Sequence, residues 1–438
     1  MIRKKIINRI LKILRVIYSY IPNWYKYGKD YRKQYMLLVD FESWNDEKKR
    51  EYQFEMLKKI VKHSYENINY YKKLFDENKI DPNIKSLEEF YKIPVITKEI
   101  IRKENENLIS RNYNRRDIIR KTTGGTTGVP LNLYSSKSVN RSDRAFVDYY
   151  WSKIGFNVKG INKIAIIRGE KPENGLSQRV GSKLILSSYM LNEENIPEYV
   201  NALERFNPDF IHCFPSALFF IAKYIGERDI TVELSNLKGI LTSSETLYNY
   251  QKSYLKEIFD VTIFDFYGQS ETSSIAISIG DDEKYYFDKL YAFNEQENGS
   301  IISTGLINEV MPLLRYSTED ICSNINSSRE LVISSRIEGR SQDYIIGKND
   351  EKISLSATNF HDDTFNGISE FQYEQNEQGK VRLKIVLRNK NIDLERLRIE
   401  VTELLDNVVE VTVDVVTEIH NTRRGKKRLL IQNLDFEH

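Results

Sequence analysis

Between residues 163 and 266, short apolar runs alternate with segments of helical periodicity. The runs cover 163–168, 209–213, 238–242 and 261–266, and predicted helices cover 216–226 and 247–259. Parallel strands need long crossover connections, which are usually helices, so this alternation predicts parallel βαβ units in a sheet covered on both faces. Ligands bind such sheets beyond the carboxyl ends of the strands.

Polar clusters follow three of these predicted strands. They are Pro215-Ser216, Ser243-Ser244-Glu245 and Tyr267-Gly268-Gln269-Ser270-Glu271. An aromatic ring at a strand end can stack on a base, and a carboxylate four residues later can hold Mg²⁺ on phosphates. Taken alone, the third cluster is explained more simply by a packed tyrosine and a solvated glutamate. Three clusters at three strand ends together indicate a ligand site.

The most distinctive segment of the chain is Thr122-Thr123-Gly124-Gly125-Thr126-Thr127-Gly128-Val129-Pro130. Its three glycines allow close backbone approach, and its backbone amides and four hydroxyls suit a polyphosphate. It is not a Walker motif, because no Gly-Lys-Ser/Thr ending occurs and residues 131–134 alternate as a strand does. The alternative for this segment alone is a flexible hairpin loop.

Two further regions flank this part of the chain. Residues 45–110 have apolar positions every three or four residues, which predicts helices. Residues past 340 carry strand patterns at 371–373, 382–387 and 408–416 and a helical pattern at 394–405, which indicates a small α+β domain. We place the linker at Glu338-Gly339-Arg340. The predicted domains are an amino-terminal helical region (1–35), a large α/β domain (36–339) and a small domain (340–438).

The amino-terminal region carries an unusual concentration of charge. Residues 1–35 hold ten basic residues and one acidic residue, Asp30, which leaves 55 basic and 62 acidic residues elsewhere. A nucleic-acid-binding body is therefore not expected. Residues 2–18 form an amphipathic helix, too often interrupted by charge to span a bilayer. Such a helix either lies on an anionic membrane surface or packs its apolar stripe on the protein body.

The remaining polar residues exclude some chemistry and suggest other sites. Cys213 and Cys322 form no CxxC pair, which favours a reducing, cytoplasmic compartment over zinc or disulfide chemistry. The five histidines show no metal-ligand spacing, and we interpret His212 as a pocket wall. Asp320, in Arg315-Tyr316-Ser317-Thr318-Glu319-Asp320, could accept both hydroxyls of a ribose. The segment from Thr422 to Arg428 is basic, and a solvated tail is its alternative interpretation.

In this order, these segments resemble the adenylate-forming superfamily of acyl-CoA synthetases, firefly-type luciferases and nonribosomal adenylation domains. The resemblance is particularly to its phenylacetate-CoA ligase and CapK-like capsule-biosynthesis branch. There a loop of the form S/T-x-G-T/S-T-G-x-P precedes YGxxE, RYxxxD and GRxxD segments. The stretches 52–74 and 93–98 are also similar to that branch, so the resemblance covers nearly the whole chain.

The resemblance implies an activity and a mobile carboxyl-terminal domain. The enzyme would use ATP and Mg²⁺ to adenylate a carboxylic or amino acid, release pyrophosphate, and pass the acyl group to an amine, hydroxyl or thiol in surface polysaccharide biosynthesis. One alternative is an aryl- or acyl-CoA ligase with CoA as acceptor. Another is a non-catalytic, membrane-associated scaffold with the same fold. The expected location is the cytoplasm, with peripheral contact to the inner face of the membrane through residues 2–18.

The resemblance also implies individual roles. The phosphates would be held by Thr122, Thr123, Gly124, Gly125, Thr126, Thr127 and Gly128. The adenine site would comprise Ser243, Ser244 and Glu245, with Tyr267 stacked on the base, and Gly268, Gln269 and Ser270 would also bind the nucleotide. Glu271 would bind Mg²⁺, Asp320 would bind the ribose, and Arg340 would act at the ribose or hinge. Lys426 would contact the α-phosphate, so that the catalytic set is Lys426, Glu271 and Thr126.

Overall fold

The helices of the chain occupy most of its first third. A computed structural model describes residues 2–122, 131–170, 172–173, 175–324, 329–340, 344–349, 351–354, 367–388, 392–405, 407–420 and 428–434. Within these ranges the α-helices are α1 (Ile2–Ser19), α2 (Asn23–Lys26), α3 (Gly28–Glu42), α4 (Asp46–Asn67), α5 (Asn69–Asn78), α6 (Leu87–Phe90), α7 (Lys98–Lys103), α8 (Lys137–Ser152), α9 (Ile196–Phe206), α10 (Pro215–Gly226), α11 (Asn249–Phe259) and α12 (Leu394–Leu404). Short 3₁₀ helices cover Asn105–Leu108, Arg115–Asp117 and Ser188–Met190.

The strands follow mainly from the middle of the chain onward. They are β1 (Ile118–Thr122), β2 (Asn132–Ser136), β3 (Ile164–Arg168), β4 (Ser177–Val180), β5 (Lys183–Ser187), β6 (Phe210–Cys213), β7 (Gly239–Ser243), β8 (Thr262–Gly268), β9 (Ile275–Ile279), β10 (Tyr285–Phe287), β11 (Ala292–Glu297), β12 (Ser300–Gly305), β13 (Tyr316–Asn324), β14 (Ile333–Arg340), β15 (Tyr344–Ile346), β16 (Lys352–Ser354), β17 (Ile368–Glu377), β18 (Lys380–Leu387), β19 (Glu410–Val415) and β20 (Leu430–Gln432).

The chain divides into two compact units. The first unit contains Met1–Tyr20, Asn162–Asp265 and Glu338–His438, and the second contains Ile21–Ile161 and Phe266–Ile337. The domain boundaries at 35/36 and 339/340 stay predictions. The predicted linker residues 338–340 form the end of β14 in the structure.

The first unit contains the predicted βαβ sheet. Its strands lie in the order β8-β7-β6-β3-β5-β4, with β8 contributing its first four residues. The neighbours β7, β6, β3 and β5 are parallel, and β4 is antiparallel to β5. α9, α10 and α11 pack apolar side chains such as Leu203, Leu218 and Leu255 into one core with the strands. The alternation of strands and helices predicted over 163–266 is therefore confirmed.

The carboxyl-terminal part of the first unit forms a separate small sheet. Its order is β19-β18-β17-β20, and α12 buries Leu397 and Val401 in the same core as the strands. The strand–helix–strand pattern predicted from the sequence is confirmed here. Arg388 forms ion pairs with Glu193, at 2.6 Å, and with Glu227, so charges connect this sheet to earlier residues of the unit.

The second unit corrects the prediction of parallel βαβ sheets for the large domain. Its strands lie in the order β11-β12-β13-β14-β10-β9, and the pairings β11–β12, β12–β13, β10–β14 and β9–β10 are antiparallel. Short turns explain this, since only antiparallel strands can be joined by a tight hairpin. Asn298 and Gly299 connect β11 to β12 and both have a positive φ, as a two-residue turn of this kind requires. The fold is thus a mixed α/β fold.

The hairpin β1–β2 brackets the Gly/Thr loop. The strands are antiparallel, and Thr122 pairs with Asn132 at the end of the hairpin that leads into the loop. The strand predicted to follow the loop is confirmed. The loop itself, residues 123–130, lies outside the described residues, so its predicted phosphate contacts stay predictions.

The helix predicted at the amino terminus is confirmed as α1. The last residue of α1 forms two hydrogen bonds with the β4–β5 turn. The Ser182 amide donates to the Ser19 hydroxyl at 3.2 Å, and the Ser182 hydroxyl donates to the Ser19 carbonyl at 2.8 Å. Leu14 and Ile17, on the apolar side, are 53% and 55% exposed. Over the part of the chain that the structure describes, every helix is too short or too polar to cross a membrane.

Candidate active site

Three side chains of the second unit converge at the end of β8. The Tyr267 hydroxyl donates to Asp320 Oδ2 at 2.7 Å, and the Gln269 amide donates to the same oxygen at 2.7 Å. The amide also lies 2.8 Å from the Tyr267 hydroxyl oxygen, and Ser273 donates to the side-chain carbonyl oxygen of Gln269 at 2.6 Å. The structure therefore brings together Tyr267 and Gln269 of one sequence motif with Asp320 of another.

Burial keeps the Tyr267 hydroxyl of this cluster protonated. It raises the pKa of Tyr267 well above its usual value, and the negative charge of Asp320 raises this pKa further. The hydroxyl therefore stays protonated and donates to the carboxylate. The tyrosine ring also packs edge-on against Phe287, with 6.2 Å between centroids. The ring position is thus fixed at both ends, as a stacking platform for a ligand requires.

Glu271 lies in the turn that follows β8. The Tyr316 hydroxyl donates to Glu271 Oε1 at 3.2 Å. Burial raises the pKa of Glu271, and the neighbouring charge of Asp320 adds to this, while Lys98 opposes it. Lys98 itself pairs with Glu319 at 2.5 Å. Among the described residues Glu271 forms no ion pair. A cation bound beside this buried carboxylate would therefore stabilise its charged form.

A magnesium ion fits this carboxylate chemically. Magnesium prefers oxygen ligands and usually takes one or two carboxylates together with substrate phosphates. Within the described ranges, no group of three or more His, Cys, Asp or Glu side chains could hold a metal by itself. A carboxylate such as Glu271 would suit a magnesium ion that arrives with the phosphates of a nucleotide.

The backbone is strained at several of the predicted site segments. Ser244, Thr272, Arg315 and Glu319 have positive φ, in the left-handed region that non-glycine residues rarely adopt. Each such residue costs about 1–3 kcal/mol and persists only where its surroundings enforce it. Strain of this kind concentrates at binding sites, and here it accompanies the residues around the predicted nucleotide contacts.

The hydrogen bonds of the Arg315 side chain hold the backbone at the start of β13 in place. Its guanidinium donates to the carbonyl oxygens of Tyr91 and Ile93 at 2.9 and 2.6 Å and to Glu295 at 3.1 Å. The backbone of Ile96 then pairs with the start of β13, accepting from the Ser317 amide at 2.9 Å. Residues 93–98 therefore bring Lys98 to β13, where it pairs with Glu319. This position gives a structural reason for the similarity of residues 93–98 to the family.

A second polar cluster lies at the carboxyl edge of the first unit's sheet. Arg168, the last residue of β3, donates from Nη2 to the Ser244 hydroxyl at 2.6 Å, and its Nη1 lies 3.3 Å from His212 Nε2. The same His212 nitrogen lies 3.3 Å from the Ser243 hydroxyl. Glu245 accepts from the Ser216 amide at the start of α10, at 3.2 Å. Sequence reasoning missed Arg168, although a cation at the end of a predicted strand was a readable signal.

The other predicted residues are described only in part. Gly268 and Ser270 are exposed at the end of β8 and in the turn after it, and Thr122 is exposed at the end of β1. Arg340 ends β14, and its side chain lies outside the described residues. Residues 123–128 and Lys426 also lie outside them. The roles assigned to all of these residues stay predictions.

Comparison with known proteins gives consistent relatives. The chain is 23% identical over 407 residues to protein CapK of Staphylococcus aureus, covering 88% of this chain and 89% of the relative. It is 24% identical over 335 residues to a phenylacetate-coenzyme A ligase of Aromatoleum evansii, covering 70% and 74%. A crystal structure of 2-hydroxyisobutyryl-CoA ligase in the postadenylation state matches with a TM-score of 0.67 and 15% identity, over 87% and 88% of the two chains. No family model matches the chain.

These relatives, the fold and the motif order define the class of the protein. The chain belongs to the superfamily of adenylate-forming enzymes and is an AMP-forming ligase. Within the superfamily it is a distant homologue of CapK and of the phenylacetate-CoA ligases. The resemblance stated from the motifs is thereby confirmed.

Proposed function

We propose that this ligase adenylates a carboxylic or amino acid with ATP and transfers the acyl group to an amine, hydroxyl or thiol in surface polysaccharide biosynthesis. The observation that carries the nucleotide part is the cluster of Tyr267, Gln269 and Asp320 beside Glu271. One oxygen of Asp320 accepts two hydrogen bonds, which holds the carboxylate in one orientation. An oriented carboxylate next to a fixed aromatic ring suits a ribose and its base.

The reaction joins two anions, because an acid carboxylate must attack the α-phosphorus of ATP. Catalysis of such a step depends on positioning and on neutralising charge. In our proposal Asp320 orients the ribose, Tyr267 positions the base, and the loop at residues 122–128 holds the leaving pyrophosphate through its amides. Glu271 would hold Mg²⁺, which would supply positive charge at the phosphates when bound. Lys426 would stabilise the α-phosphate as it is attacked.

Fewer observations bear on the acceptor of the acyl group than on the nucleotide site. The motif resemblance to the CapK-like branch supports an acceptor in polysaccharide biosynthesis. Relatives named phenylacetate-coenzyme A ligase support CoA as the alternative acceptor. Membership among the AMP-forming ligases disfavours the alternative of a non-catalytic scaffold. A scaffold would not need Glu271 or Asp320, and both are present. Release of AMP that depends on CoA would support the CoA ligase.

The nucleotide site is tested by isotope exchange between pyrophosphate and ATP over a panel of acids. We expect wild-type exchange with at least one acid and a ten- to hundred-fold weaker ATP affinity in Asp320→Ala, because truncating a charge-assisted contact costs about 1.5–3 kcal/mol. Glu271→Gln should instead lower mainly the exchange rate and raise the Mg²⁺ concentration that half-saturates it.

The control for both variants is Glu51→Gln, which removes an exposed carboxylate on α4 of the same unit. It should behave as wild type. Wild-type ATP affinity in Asp320→Ala together with wild-type Mg²⁺ dependence in Glu271→Gln would remove both residues from the nucleotide site. ATP binding without exchange on any acid of a broad panel would contradict the proposed adenylation.

We also propose that α1 attaches this cytoplasmic enzyme to an anionic membrane surface. Leu14 and Ile17 are exposed rather than packed on the protein body, which favours the membrane alternative for this helix. The basic residues between positions 3 and 15 lie mainly on the opposite side of the helix. Exposed apolar side chains flanked by cations suit the interface of anionic lipids.

Sedimentation with vesicles tests this attachment. We expect binding to vesicles containing phosphatidylglycerol, weaker binding at high salt, and little binding to phosphatidylcholine alone. The double variant Leu14→Asp/Ile17→Asp should bind about ten-fold less, because each substitution removes apolar contact. Val16→Asp is the matched control, since Val16 lies on the basic side of the same helix. Equal binding of both variants would contradict the orientation, and no wild-type binding would contradict the attachment.

A further inference from the structure

The turn that follows β8, residues 269–274, has a strained and buried backbone. Thr272 in this turn is buried and has a φ of +57°. Of the described non-glycine residues with positive φ, it is the one β-branched residue, and for such a side chain this conformation is a genuine outlier. It costs about 1–3 kcal/mol and persists only where neighbouring residues enforce it. The contacts that enforce it therefore determine where Gln269 and Glu271, in the same turn, are held.

The turn lies on one face of the paired strands β11 and β12, in the same unit of the chain. Asn294 and Ser303 are directly opposite each other in this pairing, so their side chains share a face. Gly305 lies two residues farther along β12, on the face of Ser303. A Cβ atom on Gly305 would lie 2.5 Å from the Thr272 carbonyl oxygen. The close approach of the turn to β12 therefore requires a glycine there.

Buried hydroxyl groups connect this face to the turn. Ser274 donates to Asn294 Oδ1 at 2.8 Å. The Ser303 hydroxyl lies 2.7 Å from the same oxygen and 3.0 Å from the Ser273 carbonyl oxygen, and the two acceptors share its single proton. All four residues are buried, so these contacts satisfy polar groups that water does not reach. The turn is thus held through both its backbone and its side chains.

The Ser273 side chain continues this network into the candidate site. Its hydroxyl donates to the side-chain carbonyl oxygen of Gln269 at 2.6 Å. Because a donor faces this oxygen, the Gln269 nitrogen is turned the other way, toward Tyr267 and Asp320 Oδ2. Ser273 and Asp320 therefore hold the Gln269 amide from opposite ends. Without the serine hydroxyl, only one end of the amide would be held.

We propose that Ser273, supported by Ser303 and Asn294, is a positioning residue that holds Gln269 against Asp320 and so strengthens the selection of ATP over 2′-deoxy-ATP. This rests on the proposed binding of the ribose by Asp320. A carboxylate that is held by fixed donors is ready to accept from the ribose hydroxyls, whereas a mobile one must first be ordered. The orientation of Asp320 therefore affects the ribose contact more than contacts to the base or the phosphates.

The ratio of the dissociation constants of 2′-deoxy-ATP and ATP tests this positioning, measured by titration calorimetry on the full chain with Mg²⁺. The two nucleotides differ only in the 2′-hydroxyl, so a general packing defect changes both constants and leaves their ratio. We expect a wild-type ratio of about ten or more, as for a hydrogen bond to a charged group. Ser273→Ala should reduce the ratio about three- to ten-fold, as for loss of a typical hydrogen bond. Gln269→Met should reduce it at least as much.

A double-mutant cycle shows whether Ser273 acts through Gln269. Ser273→Ala should have no further effect on the ratio in the Gln269→Met background. Ser303→Ala should lower the ratio in the wild-type background and should likewise have no effect in Gln269→Met. If Ser273→Ala does not fold, the Ser303→Ala cycle decides. The matched control is Ser64→Ala, which removes a buried hydroxyl that donates to a backbone carbonyl within α4 of the same unit, and it should leave the ratio as in wild type.

The possible failures of this inference and of the nucleotide site are distinct. A wild-type ratio in Ser273→Ala, or a reduction that is as large in the Gln269→Met background, would overturn the positioning role while leaving the ribose contact of Asp320 intact. Equal wild-type affinities for ATP and 2′-deoxy-ATP would overturn that ribose contact, and the inference with it. No binding of either nucleotide by the wild type would overturn the proposed nucleotide site itself.

Discussion

Replacing Lys426 by alanine should slow adenylation at least a hundred-fold, or about 2.7 kcal/mol, while the dissociation constant of ATP changes little. The resemblance implies that this lysine contacts the α-phosphate, where negative charge is crowded as the acid carboxylate attacks. A charge placed there stabilises the transition state more than the bound nucleotide. Single-turnover formation of acyl-adenylate, measured with the best acid of the panel, reports this step separately from ATP binding.

The second half-reaction and two neighbouring residues provide the controls. The resemblance implies that the domain carrying Lys426 moves between the two half-reactions. Transfer from a preformed acyl-adenylate should therefore be largely spared in Lys426→Ala. Lys427→Ala and Arg428→Ala should have small effects on adenylation. Equal, small effects at all three positions would identify the segment as a solvated basic tail and remove Lys426 from the catalytic set.

The sequence allowed the first unit to be predicted well because its signals are local. Apolar runs of strand length, helical periodicity between them and polar residues at the run ends are all visible within short windows. The four strands predicted between 163 and 266 correspond to β3, β6, β7 and β8 within one or two residues at most ends. The short β4 and β5 were missed, since Val180 is the only apolar residue of β4 and the apolar run of β5 covers only 184–186.

The second unit was predicted less well because its sheet depends on pairing rather than on local pattern. The parallel arrangement inferred for the whole large domain does not hold for β9 to β14. One local signal could have corrected this, because Asn298-Gly299 between two alternating runs is the strongest short-range sign of a hairpin. The pairing of β10 with β14 joins Tyr285–Phe287 to Ile333–Arg340, and no short window of sequence contains both partners.

In the candidate site, too, the residue types could be predicted from the sequence but their contacts could not. The motifs identified Tyr267, Glu271 and Asp320, but the hydrogen bonds from Tyr267 and Gln269 to Asp320 join residues from separate parts of the chain. Arg168 was overlooked for a related reason. Its position at the end of a predicted strand was visible, but its contacts with His212 and Ser244 join residues from separate parts of the chain.

Arg315→Met should lower the free energy of unfolding of the second unit by about 3–5 kcal/mol, because it removes one partner of a buried ion pair. The side chains of Arg315 and Glu295 are 5% and 0% exposed, and the substitution also strips donors from the carbonyl oxygens of Tyr91 and Ile93. Urea unfolding followed by tryptophan fluorescence reports this unit alone. All three tryptophans of the chain, at positions 24, 44 and 151, belong to it.

Two comparisons separate the loss of charge pairing from a general packing defect. Arg329→Met removes the other cation that pairs with Glu295. The Arg329 side chain is 40% exposed. We therefore expect a loss of about 1 kcal/mol or less. The second comparison is the pH dependence of the Arg315→Met deficit.

Burial raises the pKa of Glu295 and its two arginines oppose this rise, so Arg315→Met should raise the pKa further. A raised carboxylate pKa favours folding at low pH, and that contribution is lost as the pH rises. The deficit of Arg315→Met should therefore shrink as the pH is lowered toward the usual range of a glutamate. A deficit independent of pH would mean that the lost packing and carbonyl contacts, rather than the unpaired Glu295 charge, account for the instability.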